Sequence, residues 1–477
     1  MTDEDESADA GTEPPVQEAA RPRGPRRPEV AGARGAGARV LKRVIDEGAW
    51  SPRAIDQEAK LLGDERDVRL LTHLAYGALS WRLSIDAQLE RLLRQGLRSL
   101  PPMAAHHLRL AFYEIGWMNG RIPHAASAHA AVDAIKLLHG DRIAGVCNGV
   151  LRTWLRQGTP TVCEPVGGGA AASLAARWAL PEWMAALLLE RLATVEDAAD
   201  VGARVDAIAR AWTDVSKVHL RQRDERPALS LQGELEAGRM TRHPSVPGAW
   251  VVESGFVPST ARLEGLTVQD AGSQLVVQML PLNLNGPVLD MCSGRGVKAL
   301  QLQDRYPGVM VVRSDRDERK LRSAGLKGAA VAWDVPAMPA PTEIQDLAPF
   351  TAILVDAPCT GLGTVGRHPE VKWNRAADDV NALSRVQAEI LDAVTPLLAV
   401  GGVLVYAVCT WTVAEGPAQV QAYLQRHPNM ELDPPTSESA AADVPWSTLI
   451  DRSGGVALMP DAGAWDGFFM ARFRRKS

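Results

Sequence analysis

Residues 286–306 read GPVLDMCSGRGVKALQLQDRY. A short apolar run ends in an acid, a glycine-rich turn follows, and apolar residues then recur at three- and four-residue spacing. That is a strand, a tight turn and a helix. Four more apolar runs follow, each bounded by turn residues: VMVVRSD (309–315), AAVAWD (329–334), FTAILVD (350–356) and GGVLVYAVC (401–409). Helical stretches alternate with them: RDERKLRSAGL (316–326), VNALSRVQAEILDAVTPLLA (380–399) and EGPAQVQAYLQRH (415–427). Buried strands alternating with helices predict an α/β Rossmann-like fold, a mostly parallel, doubly wound sheet, over residues 263–477. GVALMP and FFMARFRR close the chain as an antiparallel hairpin at the sheet edge.

Upstream the pattern differs. Segments such as DVRLLTHLAYGALSWRLSIDAQLERLLRQ and IAGVCNGVLRTWLRQ have helical periodicity only, which predicts an all-α bundle over residues 34–165. His106, His107, His124 and His129 lie within it without partners at ligand spacing. Gly167–Gly169 open a linker and a small helical and mixed subdomain over 166–262, in which AWVVESG is the clearest strand. Residues 1–33 are Pro, Gly, Ala and charge, acidic to Glu18 and basic from Arg21 to Arg27, as in a disordered tail. The chain is therefore multidomain.

The 477 residues, 46% hydrophobic and 23% charged, suit about three soluble domains at ~150 residues each. No apolar run nears the ~20 residues that cross a bilayer, which excludes a membrane span. The opening thirty residues hold no secretory signal. Five scattered cysteines, with no CxxC and no Cys/His cluster, exclude a disulfide scaffold and a zinc site. A reducing cytoplasm, no metal and a monomer are expected. The net charge of −5 argues against a simple nucleic-acid coat but allows a local basic channel.

Function in such a sheet collects at the carboxyl ends of its strands. After the first strand come Asp290, Cys292, Ser293, Gly294, Arg295, Gly296, Val297 and Lys298. This is a turn whose backbone can approach a ligand before a helix N-terminus. Asp315, after the second strand, can bind two ribose hydroxyls, and Asp334, after the third, can reach an adenine. These features suit NAD and S-adenosylmethionine equally. The last two turns separate the readings: the fourth strand ends in Asp356-Ala-Pro-Cys359 and the fifth in Tyr406-Ala-Val-Cys409. With the first, fourth and fifth strands adjacent, Cys359 and Cys409 face one cleft, whereas Cys292 is read as a buried structural thiol whose backbone serves the turn. C5 of a pyrimidine is a poor nucleophile. A thiolate adding at C6 turns the ring into an enamine whose C5 can attack a methyl sulfonium, and a carboxyl group such as Asp356 can hold the base. Hydride transfer needs neither thiol.

From VQDAGSQL (268–275) onward the chain resembles the Fmu/Sun class of RNA cytosine-5 methyltransferases. The resemblance rests on DAPCTGLG, RHPEVKW (367–373), LSRVQAEIL, GGVLVYAVCT and DGFFMARF (466–473). AYGALSW, HAASAHAAVDAIK and GVCNGVLR resemble the NusB-type RNA-binding domain fused to bacterial small-subunit ribosomal RNA enzymes. The resemblance implies a class I methyltransferase domain and S-adenosyl-L-methionine as cofactor. It implies ribosomal RNA as partner, Cys409 as nucleophile and Cys359 as the release residue. DNA cytosine-5 enzymes use their Pro-Cys thiol instead, so spacing alone leaves the two roles open.

Two turns depart from the family. CSGRGVK stands for the usual Cys-Ala-Ala-Pro-Gly-Gly-Lys, with a β-branched Val297 where backbone should approach the cofactor and Arg295 offering charge to RNA. TWTVAEG keeps Glu415 but has Gly416 where asparagine is usual, and Trp411 either stacks on a base or packs. Arg367 and Lys372 either contact phosphate or form a structural turn. The altered turns motivate a rival reading, a NusB-like RNA-binding or ribosome-assembly protein that does not turn over. A third keeps the enzyme and makes transfer RNA its substrate.

Overall fold

The computed structural model describes residues 29–477 except 119, 160, 162–167, 196–199, 215–216, 225–231, 254–264, 324 and 461–464. The expected tail up to residue 28, Asn119 and the start of the Gly167 linker lie outside the described residues.

Six helices build the N-terminal bundle: α1 (Gly32–Ile45), α2 (Ser51–Ala59), α3 (Glu65–Ser80), α4 (Arg82–Leu92), α5 (Pro102–Trp117) and α6 (His124–Arg156). Their apolar stripes meet in one core, where Phe112 stacks on Trp154 at 4.0 Å between ring centroids. Asp64 caps α3 by accepting from Arg66 N at 2.7 Å, and Pro102 starts α5, where a missing N–H costs nothing. His106 is buried and bonded to Asp46 and Arg109.

Three helices follow, α7 (Ala170–Trp178), α8 (Glu182–Ala193) and α9 (Val201–Thr213). A small antiparallel sheet then has the order β2-β3-β1-β4, from β1 (Val218–Gln222), β2 (Met240–Arg242), β3 (Ala249–Val252) and β4 (Leu266–Val268). The strand β4 lies beyond residue 263 yet pairs with β1, so this sheet reaches past the division expected from sequence.

The C-terminal domain opens with α10 (Ala271–Gln278) and alternates β5 (Val288–Met291), α11 (Val297–Arg305), β6 (Val311–Asp315), α12 (Glu318–Ser323), β7 (Ala330–Ala332), β8 (Phe350–Asp356), α13 (Ala377–Val394), β9 (Leu398–Val408) and α14 (Pro417–Arg426). It ends with β10 (Met430–Leu432), β11 (Val456–Leu458) and β12 (Phe468–Arg475). The sheet runs β10-β12-β9-β8-β5-β6-β7, with β11 also paired to β12. Strands β5 to β9 are parallel and β10 to β12 antiparallel. Helices on both faces bury β5 completely, which is why it reads as an unbroken apolar run. The first, fourth and fifth parallel strands are neighbours, as expected. The closing hairpin pairs as expected too, although β12 sits inside the sheet, flanked by β9 on one side and β10 and β11 on the other. No helix among the described residues is long and apolar enough to cross a membrane.

The RHPEVKW segment joins these parts. Glu370 is fully buried and accepts from Ser51 N, at the start of α2, at 2.9 Å. Lys372 is 1% exposed, and its ammonium donates to Ser80 O at 2.8 Å and Ala179 O at 3.3 Å. Burial alone pushes its pKa down to about 7. Trp373 packs on the bundle core under the Arg82 guanidinium, 4.4 Å from its ring centroid. Arg367 donates to Asp466 at 3.0 Å and to Asp270. Of the two readings of Arg367 and Lys372, the structure therefore adopts the structural one. Phosphate contact is corrected because both cations are already committed to buried partners inside the protein.

Lys372→Ala leaves two buried carbonyls without a donor at the seam. It is expected to lower stability to urea by roughly 1–3 kcal/mol, and an unchanged unfolding midpoint would show that the seam does not depend on this bond.

Candidate active site

The turn after β5 is held on both sides. Ser293 N donates to Ser314 O on β6 at 2.8 Å, and Gly294 N donates to Asp315 Oδ2 at 2.9 Å. Cys292, Gly294 and Gly296 have φ of 63°, 57° and 76°, so three residues in seven are left-handed. Gly296 in this conformation caps α11. Val297 is already the first helical residue, with ordinary φ and its side chain 40% exposed. The β-branched residue thus strains nothing, and a Cβ built on Gly294 would meet open space. Arg295 is exposed.

Asp290 is fully buried. Its Oδ2 accepts from Ser293 Oγ at 2.6 Å, while its Oδ1 has no hydrogen-bond partner among the described residues. Burial, reinforced by the charge of Asp356, pushes its pKa up to about 7 against the opposing pull of the Ser293 bond, Lys298 and Arg313. Asp315 is nearly buried at the end of β6, and Asp334 lines an open cleft with Arg316, Asp317 and Glu318. The expected sulfonium cofactor fits these residues. The helix N-terminus and left-handed turn leave backbone free to approach it, and the orphaned Asp290 oxygen offers an acceptor to a ligand donor.

The two thiols meet. Cys359 Sγ lies 3.3 Å from Cys409 Sγ. Their loops are tied by Ala357 N donating to Ala407 O at 2.9 Å and Gly363 N donating to Cys409 O at 3.0 Å. Gly363 also packs backbone to backbone on Gly467, where a Cβ would collide with the Gly467 carbonyl, and Gly467 N donates to Gly363 O at 2.9 Å. The DAPCTGLG and DGFF motifs thereby hold each other. Next to the thiols, Lys298 Nζ donates to Asp356 at 2.6 Å. Burial would lower the Lys298 pKa, but Asp356, Asp290 and Cys409 outweigh it and the pKa is raised, so Lys298 is a charged ammonium. Cys292 is packed against the core and burial, with Asp315 and Asp356, holds its thiol well above the usual range, in keeping with a structural role.

Sequence reading missed the polar brace beneath these loops. Glu415 is fully buried and accepts from Thr360 N at 2.9 Å, Thr360 Oγ at 2.6 Å, Thr412 Oγ at 3.0 Å and Gln387 Nε2 at 3.1 Å. Tyr406 OH donates to Gln387 Oε1 and to Glu415 O. The only signal in the sequence was that Glu415 persists in an otherwise altered turn. Gly416 is explained by space, since a Cβ there would stand 3.0 Å from both Phe469 and Thr412 O. Trp411 packs: it is 1% exposed, donates to Leu362 O and stacks on Trp212 of α9. With Leu362, Val365 and Val371 it joins the core of α7–α9. Also unforeseen is the cluster in which Asp270 caps α10 and receives Arg367, His219 and Asp466 N.

The orphaned Asp290 carboxyl carries a pH-dependent cost. An acid whose folded pKa is raised from 3.8 to about 7 costs nothing below its unfolded value. Stability is then lost as pH rises from there, and the loss is complete once pH passes the folded value. Asp290→Asn is expected to stabilise the cofactor-free protein at pH 8 by a few kcal/mol, on the order of 1.4 kcal/mol for each tenfold rise in the proton affinity of the buried acid, and hardly at pH 4. Equal effects at both pH values in urea titrations would contradict that origin.

Two family models match the chain. That described as 16S rRNA methyltransferase RsmB/F matches residues 277–474, and that of the NusB family matches residues 31–156. Among curated proteins, ribosomal RNA small subunit methyltransferase B of Vibrio cholerae is 30% identical over 454 residues, covering 93% of this chain and 97% of its own length. The protein of the same name from Cronobacter sakazakii is 29% identical, covering 92% and 97%. The solved structure of PH0851 has the same fold, with a TM-score of 0.70 at 19% identity over 94% of this chain and 100% of its own. With its strand-end acids, its paired thiols and its helical bundle, this chain belongs to the ribosomal RNA small subunit methyltransferase B family, which joins a NusB-type domain to an S-adenosylmethionine-dependent methyltransferase fold.

Proposed function

We propose that the chain methylates C5 of a specific cytidine in small-subunit (16S) ribosomal RNA through a covalent adduct between Cys409 and C6. The observation that carries this reading is the 3.3 Å contact between the Cys359 and Cys409 sulfurs, beside the Lys298–Asp356 pair at the ends of β8 and β9. S-adenosylmethionine, when bound, supplies an electrophilic methyl group. The backbone of residues 292–298, with Asp315 and Asp334, would hold it there, and Asp356 lies at the edge shared by cofactor and base.

The chain's own residues do the rest. The target base must leave its stack to admit a thiol at C6. Asp356 gives one oxygen to Lys298 and keeps the other for the exocyclic amine of the base. The Cys409 thiolate forms an S–C6 bond, and the C5=C6 electron pair moves to C5, which becomes nucleophilic. Once C5 is methylated, a base takes the C5 proton, the C5=C6 bond re-forms and the S–C6 bond breaks. Cys359 is the group for that proton. Its thiol is held protonated first by the hydrogen bond with Cys409, then by burial and the charge on Cys409. Conversion of Cys409 to a thioether removes the first and third of these, so Cys359 then gives its own proton to solvent; its thiolate takes the C5 proton and becomes the thiol again as the S–C6 bond returns its electrons to Cys409. The bundle and the α7–α9 region would supply RNA affinity through backbone contacts that position the target. In this proposal the chain acts as a monomer, on RNA in the cytoplasm.

Cys359→Ala is expected to accumulate a protein–RNA adduct stable to denaturing gels when mixed with S-adenosylmethionine and unmodified small-subunit ribosomal RNA. Cys409→Ala is expected to form none and to lose turnover by on the order of 10³-fold or more. Normal methylation by Cys409→Ala would overturn the assignment.

A further inference from the structure

Two thiols in contact pose a question that their spacing leaves open: which of them loses its proton. The surroundings of the pair are unequal. On the Cys409 side stands the Lys298 ammonium, whose proton is held partly by the charge of Cys409. On the Cys359 side stands Glu415. Its carboxylate bonds to the amide and hydroxyl of Thr360, the residue next to Cys359, at 2.9 and 2.6 Å. Thr360 Oγ in turn lies 3.1 Å from the hydroxyl of Thr410, the residue next to Cys409. One carboxylate therefore grips the backbone beside one thiol directly and the residue beside the other through a single hydroxyl.

Every side-chain contact of Glu415 is with a neutral donor, from Thr360, Thr412 and Gln387, and it has no ion pair among the described residues. A fully buried carboxylate without a counter-cation projects its negative charge onto the nearest group that could ionise. Tyr406 and Cys359 are those groups; both are held above their ordinary ranges, and Glu415 contributes to each. Burial is the main cause for Tyr406, with Glu415 second; for Cys359 the Cys409 hydrogen bond, burial and the Cys409 charge come first and Glu415 adds to them. Arg375 also faces the loop, but it donates to Thr360 O at 3.0 Å.

We propose that Glu415 is a positioning residue that selects which thiol of the pair ionises: it keeps the proton on Cys359, leaves Cys409 to carry the negative charge, and fixes the two loops at contact distance. The proposal rests on Cys409 being the nucleophile. It assigns a cause to the division of labour between two otherwise similar cysteines, with Glu415 repelling charge on one side and Lys298 attracting it on the other.

The test separates charge from shape. In Cys409→Ser protein, the pH dependence of iodoacetamide alkylation at Cys359 is followed by peptide mass spectrometry with Glu415 intact, with Glu415→Gln and with Glu415→Asp. Glu415→Gln, which removes the charge, is expected to lower the alkylation midpoint by about one pH unit or more. Glu415→Asp, which keeps the charge but shortens its reach, should leave the midpoint nearly unmoved. With Cys409 present, both variants should lower kcat for transfer of labelled methyl to ribosomal RNA by about tenfold or more, with little change in KM. Thr412→Val is the milder partner should the Glu415 variants fold poorly: it strips one donor, keeps the charge, and should lower kcat without moving the midpoint.

Equal midpoint shifts for Gln and Asp would overturn the electrostatic half of the proposal. Unchanged kcat in all three variants would overturn the positioning half. The alkylation readout needs no RNA, so it decides the proposal even where methylation is absent. Full activity of Cys409→Ala would instead refute the nucleophile on which the proposal rests, a result visible without any Glu415 variant.

Discussion

Strands β8 and β9 end in register, and the rest of the catalytic edge depends on it. Val355 pairs with Tyr406 and Asp356 with Ala407, so Cys359 and Cys409 leave the sheet at the same height. A slip of one residue would turn one thiol to the opposite face. Ladder bonds alone do not hold loops in place past the strand ends. Glu415, Thr360, Thr410, Thr412 and Gln387 continue the pairing beyond the sheet as a satisfied buried network. Such networks are rigid because breaking one member strands its partners without water.

The helical regions are part of this arrangement. Leu362 and Trp411, each a few residues beyond one of the paired cysteines, are buried in the core of α7–α9. Arg375, at the end of the segment that seats Lys372 and Glu370 on the helical regions, reaches back to Thr360 O. A shift of the bundle against the sheet would therefore be felt one residue from Cys359. Among the described residues, the helical regions and the methyltransferase domain are joined by packed contacts.

Much of this was legible in the sequence, and the boundary of legibility has a physical form. Periodicity reports burial, so the buried runs GPVLDM and FTAILVD announced a parallel sheet, and the bundle announced itself by helical spacing. Strand ends concentrate function, so Asp290, Asp315, Asp356, Cys359 and Cys409 stood out as candidates, and the structure brings Cys359 to Cys409 and Asp356 to Lys298. Partners remote in sequence could not. The choice for Lys372 between phosphate and a structural turn stayed open because its acceptors, Ser80 O and Ala179 O, lie 292 and 193 residues away. Arg367 stayed undecided for the same reason, with Asp270 and Asp466 each more than ninety residues distant. Val297 looked obstructive for its β-branch until it was found to begin α11 with its residue 40% exposed. Gly416 looked like a loss until Phe469 was found filling the space beside it.

The central claim is that this edge methylates C5 of cytidine in small-subunit ribosomal RNA. The most direct measurement is to incubate the full chain with S-adenosylmethionine carrying a labelled methyl group and unmodified small-subunit ribosomal RNA, with transfer RNA in parallel, and to map the label to a nucleotide. The expected result is 5-methylcytosine at a single cytidine of the ribosomal RNA. Label at a base nitrogen or a ribose, label on transfer RNA alone, or tight RNA binding with no transfer to either RNA would contradict it.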